Sequence, residues 1–196
     1  MKPVLVLQHM DSDGPAYLAS WLRAGAVPFE VFNTAAGQEF PASMAGYAAL
    51  AVLGGEMSVN DELPSLRRAE DLIRQAMATS RPVIGHCLGG QLIATALGAR
   101  VLDSPAPEIG WQRLDVAAGD EARAWFGEAT PLTVFQWHFE SFELPQGALP
   151  LAHSEACPRQ AFALGPHLAM QFHVEVDADK LALWSASRDE TFLHLQ

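Results

Sequence analysis

Apolar residues along the first half of the chain follow two alternating rhythms. Residues 4–7 form a short continuous apolar run closed by Gln8 and His9, the pattern of a buried strand. The stretch 11–15, Asp-Ser-Asp-Gly-Pro, reads as a loop that also offers helix N-cap residues. Ala16–Ala24 then reads as a helix with Leu18, Trp21 and Leu22 on one face. Residues 27–32 and 48–53 are the next strand candidates, the second ending at Gly54-Gly55. In 63–78 the apolar positions Leu66, Ala69, Leu72, Ile73 and Met77 recur at helical spacing, with Asn60 and Asp61 available to cap. A fourth strand over 82–85 leads into a helix over 88–97, with Gly98 placed as its C-terminal stop.

Strands alternating with helices of this length indicate parallel βαβ units. The second half has a different rhythm. Residues 109–116, 132–137, Leu149–His153, 160–164 and 168–172 are short β-like runs separated by turn residues. Residues 178–195 have a weak helical period. No repeat, low-complexity tract or linker divides the chain. The expected fold is therefore a single α/β domain with parallel βαβ units and a strand-rich second half.

Composition narrows the function classes. The 196 residues are 49% hydrophobic and 18% charged, enough to build a sizeable core. The net charge of −11 argues against a partner held by its phosphate backbone and against an anionic membrane surface. Lysine occurs only at Lys2 and Lys180, so there is no polybasic run. Two cysteines, Cys87 and Cys157, make neither a disulfide framework nor a zinc site. With no signal-peptide pattern and no membrane-length apolar stretch, a cytoplasmic protein with reduced thiols is expected.

The sharpest local feature is Gly85-His86-Cys87-Leu88-Gly89, a G-x-C-x-G between a strand candidate and a helix candidate. It is the thiol form of the nucleophile elbow. A tight strand-to-helix turn strains the central residue and exposes its side chain, and glycines relieve crowding on either side. The sulfur then sits at a helix N-terminus, where the dipole and unpaired N–H groups favour a thiolate. The Leu88 N–H is placed to bond a developing oxyanion. The same residues also fit a structural cysteine packed beside a glycine-rich turn. A thiol nucleophile needs a base, and the base an orienting partner. His173 follows an apolar run, and in extended chain Glu175 points to the same side. Alone, such a pair more often reads as a surface histidine beside a solvated glutamate.

Taken together, Gly85-His86-Cys87-Leu88-Gly89-Gly90-Gln91 and His173-Val174-Glu175, whose His lies 86 positions after the Cys, resemble the class I glutamine amidotransferases, above all the stand-alone, GMP-synthase-like members. Residues 53–61 resemble the family's glycine-rich oxyanion loop, and Gln136-Trp137-His138 its Trp-His segment. Residues 155–162 and 170–173 resemble its last strands, so the match runs in order from about Leu5 to Glu175. The resemblance implies one glutamine amidotransferase-like domain over 1–196, an α/β fold with an open, mostly parallel sheet flanked by helices. It implies hydrolysis of the glutamine amide through a γ-glutamyl thioester, with Cys87, His173 and Glu175 as the triad. Gly55 and Leu88 would form the oxyanion hole, and Gln91, His138 and Phe139 would line the substrate site. No cofactor or metal is implied. The expected partners are a small-molecule substrate, glutamine or a γ-glutamyl compound, and a synthetase or acceptor enzyme that uses the ammonia, with neither nucleic acid nor membrane.

The sequence departs from the family pattern at four places: Val174 between His173 and Glu175, Glu56 in the oxyanion loop, and Phe139 and Glu140 after the Trp-His segment. Phe139 sets a bulky side chain where the substrate's α-amino and carboxylate end would approach. Two alternatives therefore stand beside glutamine hydrolysis: a thiol hydrolase of another γ-glutamyl amide or peptide, and a catalytically silent binding module. Among the other candidates, His86 is expected to point away from Cys87, and Cys157 to be structural. His9, His153, His167 and His194 have no partner logic. The tryptophans read as core, and Asp11, Asp13 and Asp61 as caps and loop residues.

Overall fold

The computed structural model describes residues 1–128 and 131–186. In the first half, β1 (Val4–Gln8), β2 (Phe29–Asn33), β3 (Ala49–Val52) and β4 (Val83–His86) are interleaved with α1 (Ala16–Ala24), α2 (Pro64–Ala78) and α3 (Leu88–Ala96). The second half runs β5 (Val101–Val116), α4 (Asp120–Phe126), β6 (Leu132–Phe142), β7 (Leu149–His153), β8 (Ala161–Leu164), β9 (His167–Met170) and α5 (Ala178–Ala186). The strands form one nine-stranded sheet in the order β2-β1-β3-β4-β9-β8-β7-β5-β6. The five strands from β2 to β9 pair in parallel, and every pair beyond β9 is antiparallel. The sheet is thus mixed, and the change of direction falls at β9, next to the strand that carries the elbow.

Period-two alternation sorts the parallel strands onto two faces. Leu5, Leu7, Leu50, Val52 and Val83 pack with Leu66, Leu72 and Ile73 of α2 and Leu92 of α3. Val6, Ala51 and Leu53 turn the other way and meet Leu18 of α1. The expected apolar face of α2 is buried, with Leu66, Ala69, Leu72 and Ile73 inaccessible to solvent. The α3 helix stops as expected. Gly98 takes φ +86, its N–H bonds the Thr95 carbonyl, and the Ala99 N–H returns to Ala94 at 3.0 Å, a Schellman close.

Several expectations give way to packing. Trp21 is 61% exposed, because α1 buries Ala19 and Leu22 and Trp21 lies almost opposite Ala19 on the helix cylinder. Trp111 is also exposed, so two of the five tryptophans are not core. Asn60 and Asp61 do not cap α2. Leu63 holds the N-cap position, Pro64 follows with no N–H to satisfy, and Asp61 accepts from the Ser58 N–H at 3.0 Å. β5 begins eight residues earlier than expected, with Pro105 and Pro107 accommodated at a bulge between Asp103 and Glu108. β6 extends to Phe142, which places His138 and Phe139 inside a strand. β9 ends at Met170, ahead of the expected 172. The α4 helix was not expected. The tail of the 178–195 helix lies outside the described residues.

Candidate active site

The C-terminal ends of β1, β3 and β4 open on one edge of the parallel sheet, where α/β folds bind ligands. At the end of β4, Cys87 takes φ +50 and ψ −112 as the N-cap residue of α3, a strained backbone for a residue with a Cβ. The neighbouring glycines allow this turn. A Cβ on Gly85 would strike the Gly89 carbonyl, one on Gly89 the Val52 carbonyl of β3, and one on Gly90 the Met170 carbonyl at the end of β9. The elbow is thereby wedged between two parallel neighbours of β4.

Around the Cys87 thiol the chain assembles a base and several donors. The thiol faces the Trp137 carbonyl at 3.6 Å, and the buried Gln171 side-chain amide points its N–H at the sulfur from 3.8 Å. His173 lies beyond the end of β9, anchored by its N–H to the Phe135 carbonyl at 2.9 Å. Its Nδ1 meets Glu175 Oε1 at 2.6 Å, which leaves Nε2 for Cys87. The spacing expected for extended chain is achieved here in a bend. Burial opposes charge on His173, but Glu175 and Cys87 outweigh it and carry the imidazole up to about 10. Burial likewise works against the Glu175 carboxylate, yet His173, His86 and Lys180 hold it well below the usual range.

The backbone N–H groups of Gly55 and Leu88 have no hydrogen-bond partner among the described residues. Leu88 is the first residue of α3, where such unpaired donors are normal. A Cβ on Gly55 would lie 2.9 Å from Leu88 Cδ2 and 2.6 Å from Met57 Sδ, so the glycine loop is pressed against the elbow.

Cys87, His173 and Gly55 line a cavity of about 870 Å³. Met10, Met57, Trp137, Phe139, Leu183 and Trp184 supply its apolar walls, and Glu56 and Glu140 are among its polar groups. Among the described residues, no Lys or Arg lines it. Gln91 lines it too, its Nε2 donating to the Glu140 carbonyl at 3.1 Å and to Gln171 Oε1 at 3.3 Å. Phe139 borders the cavity and is 43% exposed. His138 reaches the cavity wall, but its ring is buried and both nitrogens are engaged: Nε2 with Glu108 at 3.1 Å, Nδ1 with the Glu140 carbonyl at 3.1 Å.

The residues that sequence reasoning missed form the layer behind the triad. Asp13 is buried against the Lys180 ammonium and is no helix cap. His86 does not line the cavity and reaches Glu175 Oε2 at 3.8 Å. Burial lowers its pKa. Trp184 stands edge-on to His173, ring centres 4.9 Å apart. Gln171 was legible only as part of a β-like run. Asp13, His173 and Glu175 bring ligand atoms within 4.8 Å of one another, a grouping that could suit a metal ion, but Lys180 Nζ already sits against Asp13 and Glu175. Cys157 is buried beside Ser154 and burial pushes its thiol up, in keeping with a structural residue. No helix among the described residues is long and apolar enough to cross a membrane.

The family model for class I glutamine amidotransferases matches residues 17–181. The chain belongs to this family. Its members are generally enzymes with a cysteine nucleophile. This glutamine amidotransferase homologue is 36% identical over 184 residues to the glutamine amidotransferase-like protein YfeJ of Salmonella typhimurium, covering 87% of this chain and 75% of that one. It is 34% identical over 126 residues to the glutamine-hydrolyzing GMP synthase subunit of Sulfurisphaera tokodaii, spanning 63% of this chain and 64% of that protein. Among solved structures it is similar to a glutamine amidotransferase from Methylobacillus flagellatus, with TM-score 0.92, 40% identity, and coverage of 95% of this chain and 75% of that one. A glutamine amidotransferase from Thermotoga maritima aligns with TM-score 0.89 and 28% identity over 98% of this chain and 84% of that one.

Proposed function

We propose that the protein is a glutaminase-type amidase that releases ammonia from glutamine through a thioester on Cys87. The observation that carries this reading is one cavity lined by the strained, N-cap Cys87, by His173 with Glu175 behind it at 2.6 Å, and by Gly55. In this reading His173 Nε2 takes the Cys87 thiol proton. The raised imidazole pKa and the α3 N-terminus favour the resulting thiolate–imidazolium pair. The thiolate adds to the amide carbon, and the oxyanion is held by the Gly55 and Leu88 N–H groups. His173 returns its proton to the departing nitrogen, ammonia leaves, and a γ-glutamyl thioester remains. A water molecule deprotonated by His173 then attacks the thioester, and glutamate and the free thiol are released. Glu175 holds the imidazole's orientation throughout. The similarity to a glutamine-hydrolyzing GMP synthase subunit supports an ammonia-consuming synthetase as partner.

Cys87→Ala should abolish ammonia release and also the labelling of the protein by a glutamine-like chloroketone, whereas glutamine should protect wild type from that label. Labelling in the absence of turnover would indicate an intact site waiting for its partner. A Cys87→Ala variant as active as wild type would overturn the reading.

A second reading is favoured by the cavity's size and lining. A volume of about 870 Å³ suits a ligand larger than a free amino acid. The walls of Trp137, Phe139, Leu183 and Trp184, with carboxylates at Glu56 and Glu140, suit a γ-glutamyl amide whose leaving amine is apolar or cationic. A panel of γ-glutamyl amides assayed against glutamine decides between the two.

A further inference from the structure

Helix α5 and the segment leading into it flank the cavity and are stitched to the β1–α1 region by four contacts. Lys180 Nζ donates to the Gly14 carbonyl at 3.0 Å and forms an ion pair with Asp13. Trp184 Nε1 donates to the Ser12 carbonyl at 2.9 Å, and the Tyr17 N–H donates to the Glu175 carbonyl at 2.8 Å. The same ammonium bonds Glu175 Oε1 at 2.9 Å, the very oxygen that accepts from His173 Nδ1. It also lies 4.8 Å above the Trp184 ring, which packs against His173. Lys180 is only 5% exposed. A buried lysine is costly unless its charge is matched, and here Asp13 and Glu175 match it.

We propose that Lys180 is a positioning residue for the candidate catalytic pair, fixing the Glu175 carboxylate against His173 and so making an activated Cys87 depend on the docking of α5. The inference rests on the triad reading given above. Five titratable groups meet around this ammonium or its partners: Asp13 from the β1–α1 loop, His86 from β4, Cys87 from the elbow, and His173 and Glu175 from the segment after β9. With Lys180 removed, two buried carboxylates would share one small space with a single cation. One of them would take up a proton more readily, and the imidazolium would lose support. Cys87 would then be the weaker nucleophile at neutral pH.

The test is the rate of Cys87 alkylation by iodoacetamide as a function of pH, read on the Cys87 peptide by mass spectrometry, for the full chain and three variants. Wild type should react faster at neutral pH than a free cysteine thiol does. Lys180→Met should react at least about tenfold more slowly at pH 7 and approach the wild-type rate as pH rises. Lys180→Arg should recover part of that loss. The double variant D13N/K180M removes the buried Asp13 carboxylate that Lys180→Met would leave unpaired, and it should stay slow at pH 7 with the same pH dependence as Lys180→Met. A double variant with the wild-type rate and profile would overturn the proposal, because Lys180 would then only neutralise Asp13. A Lys180→Arg variant as slow as Lys180→Met would overturn it as well. Wild type reacting with an ordinary thiol profile would overturn the triad reading itself, and this proposal with it, so the two failures are told apart.

Discussion

Two buried histidine–carboxylate pairs flank the same cavity, and they do different things. His173–Glu175 and His138–Glu108 are both almost inaccessible to solvent, with contacts of 2.6 Å and 3.1 Å. The difference lies in the second ring nitrogen. In His173 the carboxylate engages Nδ1, so Nε2 is directed at Cys87. In His138 the second nitrogen is bound by the Glu140 carbonyl, with Ser104 Oγ nearby at 3.3 Å. Glu108 is further held by Gln160, which bonds Gln136 and Ser154 in turn. The first pair is open toward a nucleophile and backed by a cation. The second is closed within a network that joins β5, β6 and the turn before β8. A histidine beside a carboxylate thus becomes a candidate base only when the fold leaves its other nitrogen something to deprotonate.

The same substitution in the two pairs should break them differently. His173→Ala should lower the rate of amide hydrolysis by about 10²–10⁴, the usual contribution of a positioned general base, as measured by ammonia release. His138→Ala should instead destabilise the fold by about 3–5 kcal/mol, the cost of breaking a buried pair, as measured by urea unfolding. Its Cys87 alkylation rate should change by less than about tenfold. If His138→Ala silences the thiol while the protein stays stable, the two pairs are not distinct in the way proposed.

A smaller effect sharpens the comparison through pH. The imidazole of His173 is raised from 6.5 to about 10. A group raised on folding contributes stability that is complete below its unfolded pKa and is lost as pH rises through its folded value. Urea midpoints for wild type should therefore fall between about pH 6.5 and 10, and His173→Gln should flatten that fall. An equal slope in both proteins would show that His173 does not carry the raised pKa.

Much of this site was legible in the chain before any fold was known, for a local reason. The elbow is a short-range device: Gly85, Cys87 and Gly89 lie within one turn, and each is required by its immediate surroundings. The His173–Glu175 pair is also local. Its residues are two apart, even though a bend replaces the expected strand. What stayed hidden was long-range. Asp13 and Lys180 are 167 positions apart, and neither has a neighbour in sequence to mark it as buried. Asp13 reads as a loop residue because its flanks are Ser, Gly and Pro. His138 reads as a site residue because it follows Trp137, yet β5 supplies Glu108 from across the sheet and takes up its ring.

By itself, then, the sequence determined the alternation of elements, the apolar faces of α2 and of the parallel strands, the elbow and the chemistry its three triad candidates could perform. Those features depend on spacing within a few residues, where backbone geometry leaves few alternatives. Only the tertiary structure decided which histidine faces the thiol, which carboxylates are buried, and that an ammonium from α5 stands behind Glu175. Charge burial is a property of what packs around a group, and the packing partners of Lys180 come from opposite ends of the chain.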